Sequence, residues 1–219
     1  VKKVIFTVIV SLLIITSSSI LFIEIAEEVW EEESFYIDEI ANEILQIDDT
    51  QSFHLIATWI TELGSVPFLV TTTIFLSIYF ILSNKYTRWT VMFLLVNMLG
   101  ISAITSLLKM IFQRERPAIF AQFDGVGYSF PSGHTTGAIA FYGFCAYVVW
   151  RSGKKHVGRI LLTLFLTVLA VMVALSRIML GVHYFTDIIA GAAIATSWLI
   201  ICLLLMEWFT WKQKERKSS

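Results

Sequence analysis

Residues 176–187 read SRIMLGVHYFTD, a short polar-spotted link between two apolar runs at about 159–176 and 187–209. Each run has about the 20 residues that a helix needs to cross a bilayer. The link therefore places Ser176, Arg177, His183 and Asp187 at membrane depth. Ionisable groups are costly there and mark functional candidates.

Working outward from this link, further apolar runs fall at about 4–23, 66–83, 89–112 and 135–150, the fourth span of the chain being the shortest. The 219 residues are 57% hydrophobic and only 15% charged, against about 25% charged in a soluble domain. The apolar residues come in blocks rather than at helix or strand period, which separates a membrane protein from a large soluble core. The expected fold is all-α, a polytopic membrane protein of six transmembrane helices forming a single membrane-embedded domain over 1–219. Lys2 and Lys3 ahead of the first run resemble a secretory leader. The length of the run and the lack of a small-x-small cleavage site favour an uncleaved anchor. Cys145 and Cys202 lie in apolar runs and read as small hydrophobes. The basic residues sit at segment ends and form no stripe, so nucleic acid is not an expected partner.

Charge sets the orientation. Lys2 and Lys3, Lys85 and Arg88, the group Arg151, Lys154, Lys155 and Arg159, and the group Lys212, Lys214, Arg216 and Lys217 all fall on one side if every span crosses. Basic residues beside helix ends mark the cytoplasmic face. Both termini are then cytoplasmic, and the segments 24–65, 113–134 and 177–186 face outward. Most of the 17 acidic residues lie between Glu24 and Glu62, where there is no Lys or Arg. They read as a solvated face rather than a divalent-ion site. Within that segment Phe35, Ile37, Ile40, Ile44, Leu45 and Ile47, then Phe53, Ile56, Trp59, Ile60 and Leu63, recur near helical period. Two short amphipathic outer helices over about 35–62 fit this pattern, broken at Asp48-Asp49-Thr50 and packed as a roof or flank of the bundle.

Three outward stretches carry polar chemistry: KMIFQRERP with Lys109, Arg114, Arg116 and Pro117; PSGH, Pro131 to His134; and the link from Ser176 to Asp187. Lys109, Arg116 and Arg177 offer three cations to an oxyanion, Arg with a bidentate fork and Lys as a point charge. Ser132 offers a hydroxyl, and Gly133 an unobstructed backbone N–H that a helix start would aim at an anion. His183 and Asp187 are four apart, on one helical face. The carboxylate fixes the imidazole tautomer and leaves the other nitrogen free to attack phosphorus. His134, on a separate element, is placed to protonate a leaving oxygen. Arg114 reads as a solvated or headgroup-facing charge. His156 falls in the basic loop between the fourth and fifth spans, and neither it nor His54 is assigned a role, while Gly137, Gly143 and Gly191 read as close-packing positions between helices.

Lys109 with six residues before Arg116-Pro117, then Pro131-Ser132-Gly133-His134, then Ser176-Arg177 with His183 and Asp187, is similar to the three-part signature of the type 2 phosphatidic acid phosphatase family. Every signature position is filled, over 109–187. The resemblance implies a metal-independent lipid phosphate phosphatase of the bacterial cell membrane, without cofactor, acting at the outer face. It implies His183 as nucleophile forming a phosphohistidine, Asp187 as its partner and His134 as general acid. Lys109, Arg116, Ser132, Gly133 and Arg177 would bind the phosphoryl oxygens. Size and layout resemble members acting on phosphatidylglycerol phosphate, the first expected substrate, and on undecaprenyl diphosphate, the alternative. A headgroup-binding lipid transporter is a further alternative. The absence of matched interrupted spans argues against it, as six spans argue against the soluble haloperoxidases that share the anion-binding residues.

Overall fold

A computed structural model describes residues 2–31, 35–45, 51–117, 127–153 and 156–218. The expected break at Asp48-Asp49-Thr50, the loop residues 118–126, Lys154, Lys155 and the His156 side chain lie outside what is described. Eight helices and no strand occur among the described residues: α1 (Lys2–Trp30), α2 (Tyr36–Leu45), α3 (Gln51–Glu62), α4 (Val66–Leu82), α5 (Arg88–Phe112), α6 (Gly133–Arg151), α7 (His156–Met179) and α8 (Phe185–Ser218). The two short amphipathic helices, α2 and α3, stand where the apolar periodicity predicts them. The chain is all-α.

Six of these helices coincide with the six expected spans, but they do not all qualify alike. By length and apolarity α1, α5, α7 and α8 each suffice alone, and α4 qualifies together with α3, from which it is bent by 41°. The helix expected as the fourth span, α6, is not among them. At 19 residues it is roughly 28 Å long, but it opens on Gly133-His134-Thr135-Thr136-Gly137. The reason is its position. It packs against α4, α5, α7 and α8, and most of its side chains are buried. A helix walled in by other helices needs no lipid-facing apolar surface. Peripheral α1, resting on α8, is its opposite and exposes Val4, Ile5, Phe6, Leu12 and Leu13.

Close approach to α6 depends on small residues. A Cβ at Gly137 would stand 2.7 Å from Leu69 Cδ1 of α4, and one at Gly143 2.4 Å from Leu199 Cδ2 of α8. Gly191 of α8 brings its backbone up to the Ser132 carbonyl, where a Cβ would be 3.2 Å away. All three are packing positions, as small residues between membrane helices usually are. The largest cluster of buried side chains runs through Leu69, Phe80, Phe93, Leu94, Phe141, Phe144, Val173, Leu199 and Met206. A polar tie crosses it, since the amide of wholly buried Asn97 donates to the Ala140 carbonyl at 2.9 Å.

The outer helices are fixed to this bundle. The α3–α4 corner at Leu63-Gly64-Ser65 forms because Ser65 caps α4, its hydroxyl accepting from Phe68 N at 3.4 Å, with Pro67 in the first turn. Gly64 is required there, because a Cβ would meet Val173 Cγ1 of α7 at 2.3 Å. The Tyr142 hydroxyl of α6 donates to the Leu63 carbonyl at 2.8 Å. Helix α3 packs on α7, and α2 packs on α7 and α8. Both therefore cover the end of the bundle at which α7 turns into α8.

Candidate active site

The turn from α7 to α8 follows from local chain chemistry. Gly181 has φ +62°, the left-handed conformation that closes many helices. Its N–H bonds the Ile178 carbonyl at 2.8 Å, and Val182 N bonds the Arg177 carbonyl at 3.2 Å. These two bonds satisfy the carbonyls that a helix end leaves open and turn the chain back after one residue more. His183 is delivered in that turn. Asp187 lies in the first turn of α8 and accepts from Tyr184 N at 3.0 Å, acting as the carboxylate of a capping box. It also accepts from His183 Nδ1 at 3.1 Å. One carboxylate thus starts the helix and orients the imidazole.

The PSGH stretch reaches the same place from α6. Ser132 is the N-cap of α6, with its hydroxyl taking the Thr135 hydroxyl at 3.0 Å. Its backbone N–H donates to the Asp187 carbonyl at 3.2 Å, which locks the two helix starts together. Gly133 and His134 form the first turn of α6. A Cβ on Gly133 would lie 4.0 Å from Lys109 Cε, and His134 stands beside Gly64 at the α3–α4 corner.

The cations come from two other elements. Lys109, in the last turn of α5, reaches the Tyr128 carbonyl with its ammonium, and the Ser129 carbonyl at 3.5 Å. Arg116, beyond the left-handed Gln113 that ends α5, donates to the Gly127 carbonyl at 3.0 Å and to the Val182 carbonyl, next to His183, at 3.2 Å. Arg177 of α7 is 1% exposed, and its guanidinium donates to Thr61 Oγ1 of α3 at 2.7 Å. All eight residues singled out in the sequence, Lys109, Arg116, Ser132, Gly133, His134, Arg177, His183 and Asp187, lie where α5, α6, α7 and α8 end on one side of the bundle.

Burial decides the charge of the nucleophile candidate. His183 is 1% exposed, and desolvation pushes its pKa from 6.5 down to about 4. Asp187 opposes the shift, while Arg177 and Arg116 add to it. The ring is therefore neutral at neutral pH. Nδ1 is taken by the Asp187 side, which leaves Nε2 as the nitrogen with a free lone pair. Among the described residues no group of three or more His, Cys, Asp or Glu is placed to hold a metal ion.

Three polar residues join this centre without having been expected there. Ser129, wholly buried, donates its hydroxyl to Asp187 Oδ2 and lies 3.2 Å from His183 Nδ1. Its only sequence signal is a hydroxyl three residues ahead of Ser132. Arg114 is not a solvated charge. Its Nη1 donates to Asp187 Oδ1 at 2.7 Å and to Thr186 Oγ1 at 2.8 Å, and its Nη2 donates to Asp38 Oδ2 at 3.0 Å. Its guanidinium lies 4.1 Å from the centroid of the Tyr184 ring, a cation–π distance. Nor is the acidic outer segment wholly a solvated face, because Asp38 of α2 is only 4% exposed. Periodicity could not reveal this, since Asp38 is covered by Arg114, beyond α5, and by Thr186 of α8, both remote in sequence.

The PAP2 superfamily model matches residues 90–211, more than half of the chain and all of the stretch from Lys109 to Asp187. The chain belongs to the PAP2 superfamily. It is 29% identical over 139 residues to phosphatidylglycerophosphatase B of Bacillus subtilis (strain 168), a match that spans 62% of this chain and 66% of that relative. Its fold superposes on the crystal structure of a transmembrane PAP2-type phosphatidylglycerolphosphate phosphatase from Bacillus subtilis with a TM-score of 0.78 at 23% identity, covering 90% of this chain and 96% of the other. A second solved relative, LpxE of Aquifex aeolicus, gives a TM-score of 0.63 at 25% identity, covering 78% of this chain and 97% of the other. With its long apolar helices, this PAP2 chain is a multi-pass membrane protein.

Proposed function

We propose that the chain is a lipid phosphate phosphatase that works through a phosphohistidine, with phosphatidylglycerol phosphate as its first substrate. The observation that carries this reading is the buried His183, held through Nδ1 by Asp187 with Arg116 and Arg177 nearby. A headgroup-binding protein has no use for an oriented neutral imidazole. The family and the name of the 29% identical relative support the phosphatase class and the substrate order.

In the proposed reaction His183 Nε2 attacks phosphorus and the bond to the lipid oxygen breaks. His134 supplies the proton that this oxygen takes, and the alcohol leaves. Asp187 stabilises the imidazolium-like ring that results. Lys109, Arg116, Arg177, the Ser132 hydroxyl and the first-turn N–H groups of α6 stabilise the charge on the three equatorial oxygens. Water then gives a proton to His134 and attacks the phosphohistidine, which releases inorganic phosphate and restores both rings. Three cations supply the charge that a metal ion provides elsewhere. The acyl chains lie against the apolar flanks of the bundle. By the distribution of basic residues the site faces outward.

The test is phosphate release by purified protein from phosphatidylglycerol phosphate and from undecaprenyl diphosphate, with and without chelator. Release from both, faster at limiting concentration from the phosphomonoester, indifferent to chelator and absent in His183→Ala, is expected. A higher kcat/KM for the diphosphate reverses the substrate order. Activity lost in chelator and restored by magnesium ends the metal-free mechanism. Turnover in His183→Ala rejects the nucleophile.

A further inference from the structure

Helix α2 lies outside the three signature stretches, yet it places one carboxylate on Arg114 and Thr186, the neighbours of Asp187. Asp38 accepts Thr186 N–H with Oδ1 at 2.8 Å, and with Oδ2 it accepts the Thr186 hydroxyl at 2.7 Å and Arg114 Nη2 at 3.0 Å. These three bonds have a common direction. Thr186 precedes Asp187 in the first turn of α8, where N–H groups lack partners inside the helix, and a carboxylate beside them is favoured by the helix dipole. Arg114 holds the other oxygen of Asp187, Oδ1, at 2.7 Å. Of the groups outside the dyad that bond the Asp187 carboxylate, Ser129 Oγ, Tyr184 N and Arg114, Asp38 holds Arg114 directly, and it also holds Thr186, the residue before Asp187.

We infer that Asp38 is a positioning residue for phosphoryl transfer, holding Asp187 and, through it, His183 by way of Arg114 and Thr186. The inference rests on the phosphohistidine reading above. Two physical effects combine in it. The first is geometric: a guanidinium fork engaged by two carboxylates has its plane defined, so Asp187 keeps one oxygen for Arg114 and the other for His183. The second is charge. Arg114 alone on Asp187 would cancel the anion that His183 needs as its ring becomes positive. A second carboxylate on the same guanidinium leaves the group of three with one net negative charge. Nothing in this needs Asp38 to approach the substrate.

An anchoring role for Asp38, merely tying α2 to the bundle, makes different predictions, so the two separate cleanly. Purified wild type, Asp38→Asn, Arg114→Lys and His183→Ala are compared for kcat, KM, thermal unfolding and the pH dependence of kcat/KM on a lipid phosphate. Asp38→Asn is expected to lower kcat about tenfold, as loss of a partner behind a working ligand commonly does, with little change in KM. His183 faces Asp187 from α8, Arg177 from α7, Arg116 beyond α5 and the Ser129 hydroxyl from the loop before α6. None of these is altered by the substitution. Removing a nearby negative charge therefore favours the neutral ring and moves the acid limb of the profile to lower pH. Arg114→Lys keeps the cation but cannot hold two carboxylates in one plane, and a comparable loss in kcat is expected. It also serves if Asp38→Asn fails to fold.

Asp38→Asn with wild-type kcat and an unmoved acid limb, altered only in unfolding temperature, overturns the inference. So does Arg114→Lys with wild-type kcat. The parent reading is judged separately. If wild type releases no phosphate, or His183→Ala still does, that reading has failed and this one falls with it. An active wild type, an inactive His183→Ala and an unaffected Asp38→Asn reject the role of Asp38 alone.

Discussion

At the end of the bundle where α7 turns into α8, Arg177 and His183 are 1% exposed and Asp187 is wholly buried. At the opposite end the Arg151 and Glu207 side chains, in contact at 2.5 Å, are 41% and 40% exposed. Both ends collect charge beside apolar helices and set cations on aromatic rings, Arg114 on Tyr184 at the site end, but they differ in how far the charge is buried. The basic end rests its cations on aromatic faces: Arg88 lies 5.1 Å from the centroid of Trp89, Arg159 4.6 Å from Trp150 and Lys212 5.0 Å from Trp208. Such residues hold a helix at the membrane interface with their heads in water. Exposed ion pairs there contribute little, about 0–1 kcal/mol each. At the other end each charge is bonded to an element remote in sequence, Arg177 to α3, Arg114 to α2 and α8, Arg116 to the turn before α8. Charge at the basic end can stay exposed in water. Charge at the candidate site is buried, and burial demands partners.

Substitutions at the two ends can break this contrast. The largest effect outside the proposed nucleophile is expected for Asp187→Asn, a fall in kcat on the order of 10³ to 10⁴, the scale seen when the carboxylate behind a catalytic histidine is neutralised. Asp187 is also the influence that raises the pKa of His183 against burial. Its loss lowers that pKa further, so the acid limb of kcat/KM should move to lower pH even as the rate collapses. A limb that moves upward would mean that a different group titrates. Steady-state rates across pH decide this.

Next in size is Ser129→Ala. It removes one hydrogen bond to Asp187, and a bond to a charged group is worth roughly 1.5–3 kcal/mol, so kcat should fall about 10- to 100-fold. A rate within twofold of wild type would place Ser129 outside the working network. The smallest effect belongs to the basic end. Lys214→Ala should leave kcat/KM within about twofold and unfolding stability within about 0.5 kcal/mol, as exposed substitutions usually do. A large loss there would remove the contrast between the two ends.

Arg114 and Arg116 show how far sequence reading carries. They are two residues apart, identical in type and equally placed beyond α5. The spacing from Lys109 marks Arg116 for the anion, whereas Arg114 reads as an exposed charge. The structure gives Arg114 two carboxylates, one from α2 and one from α8. No local pattern contains that, because both partners are distant in sequence. Ser129 was missed for the same reason. The link between the fifth and sixth spans was legible from where the apolar runs end, but the spacing of His183 and Asp187 suggested one helical face, whereas His183 stands in the turn before α8. The spans were legible where helices face lipid. The fourth was least so because α6 is buried by protein.

The sequence by itself determined the all-α membrane class, the places of the helices and the candidate residues for a phosphoryl site. Apolar run length, helical period and side-chain chemistry are properties of short stretches, and they survive without a fold. Only the tertiary structure decided which cations meet carboxylates, that α6 is the central helix, and that an acidic residue of α2 holds Arg114 and Thr186 beside Asp187. Those outcomes depend on burial and on contacts between elements far apart in the chain, where a charge kept out of water must find its partner wherever packing provides one.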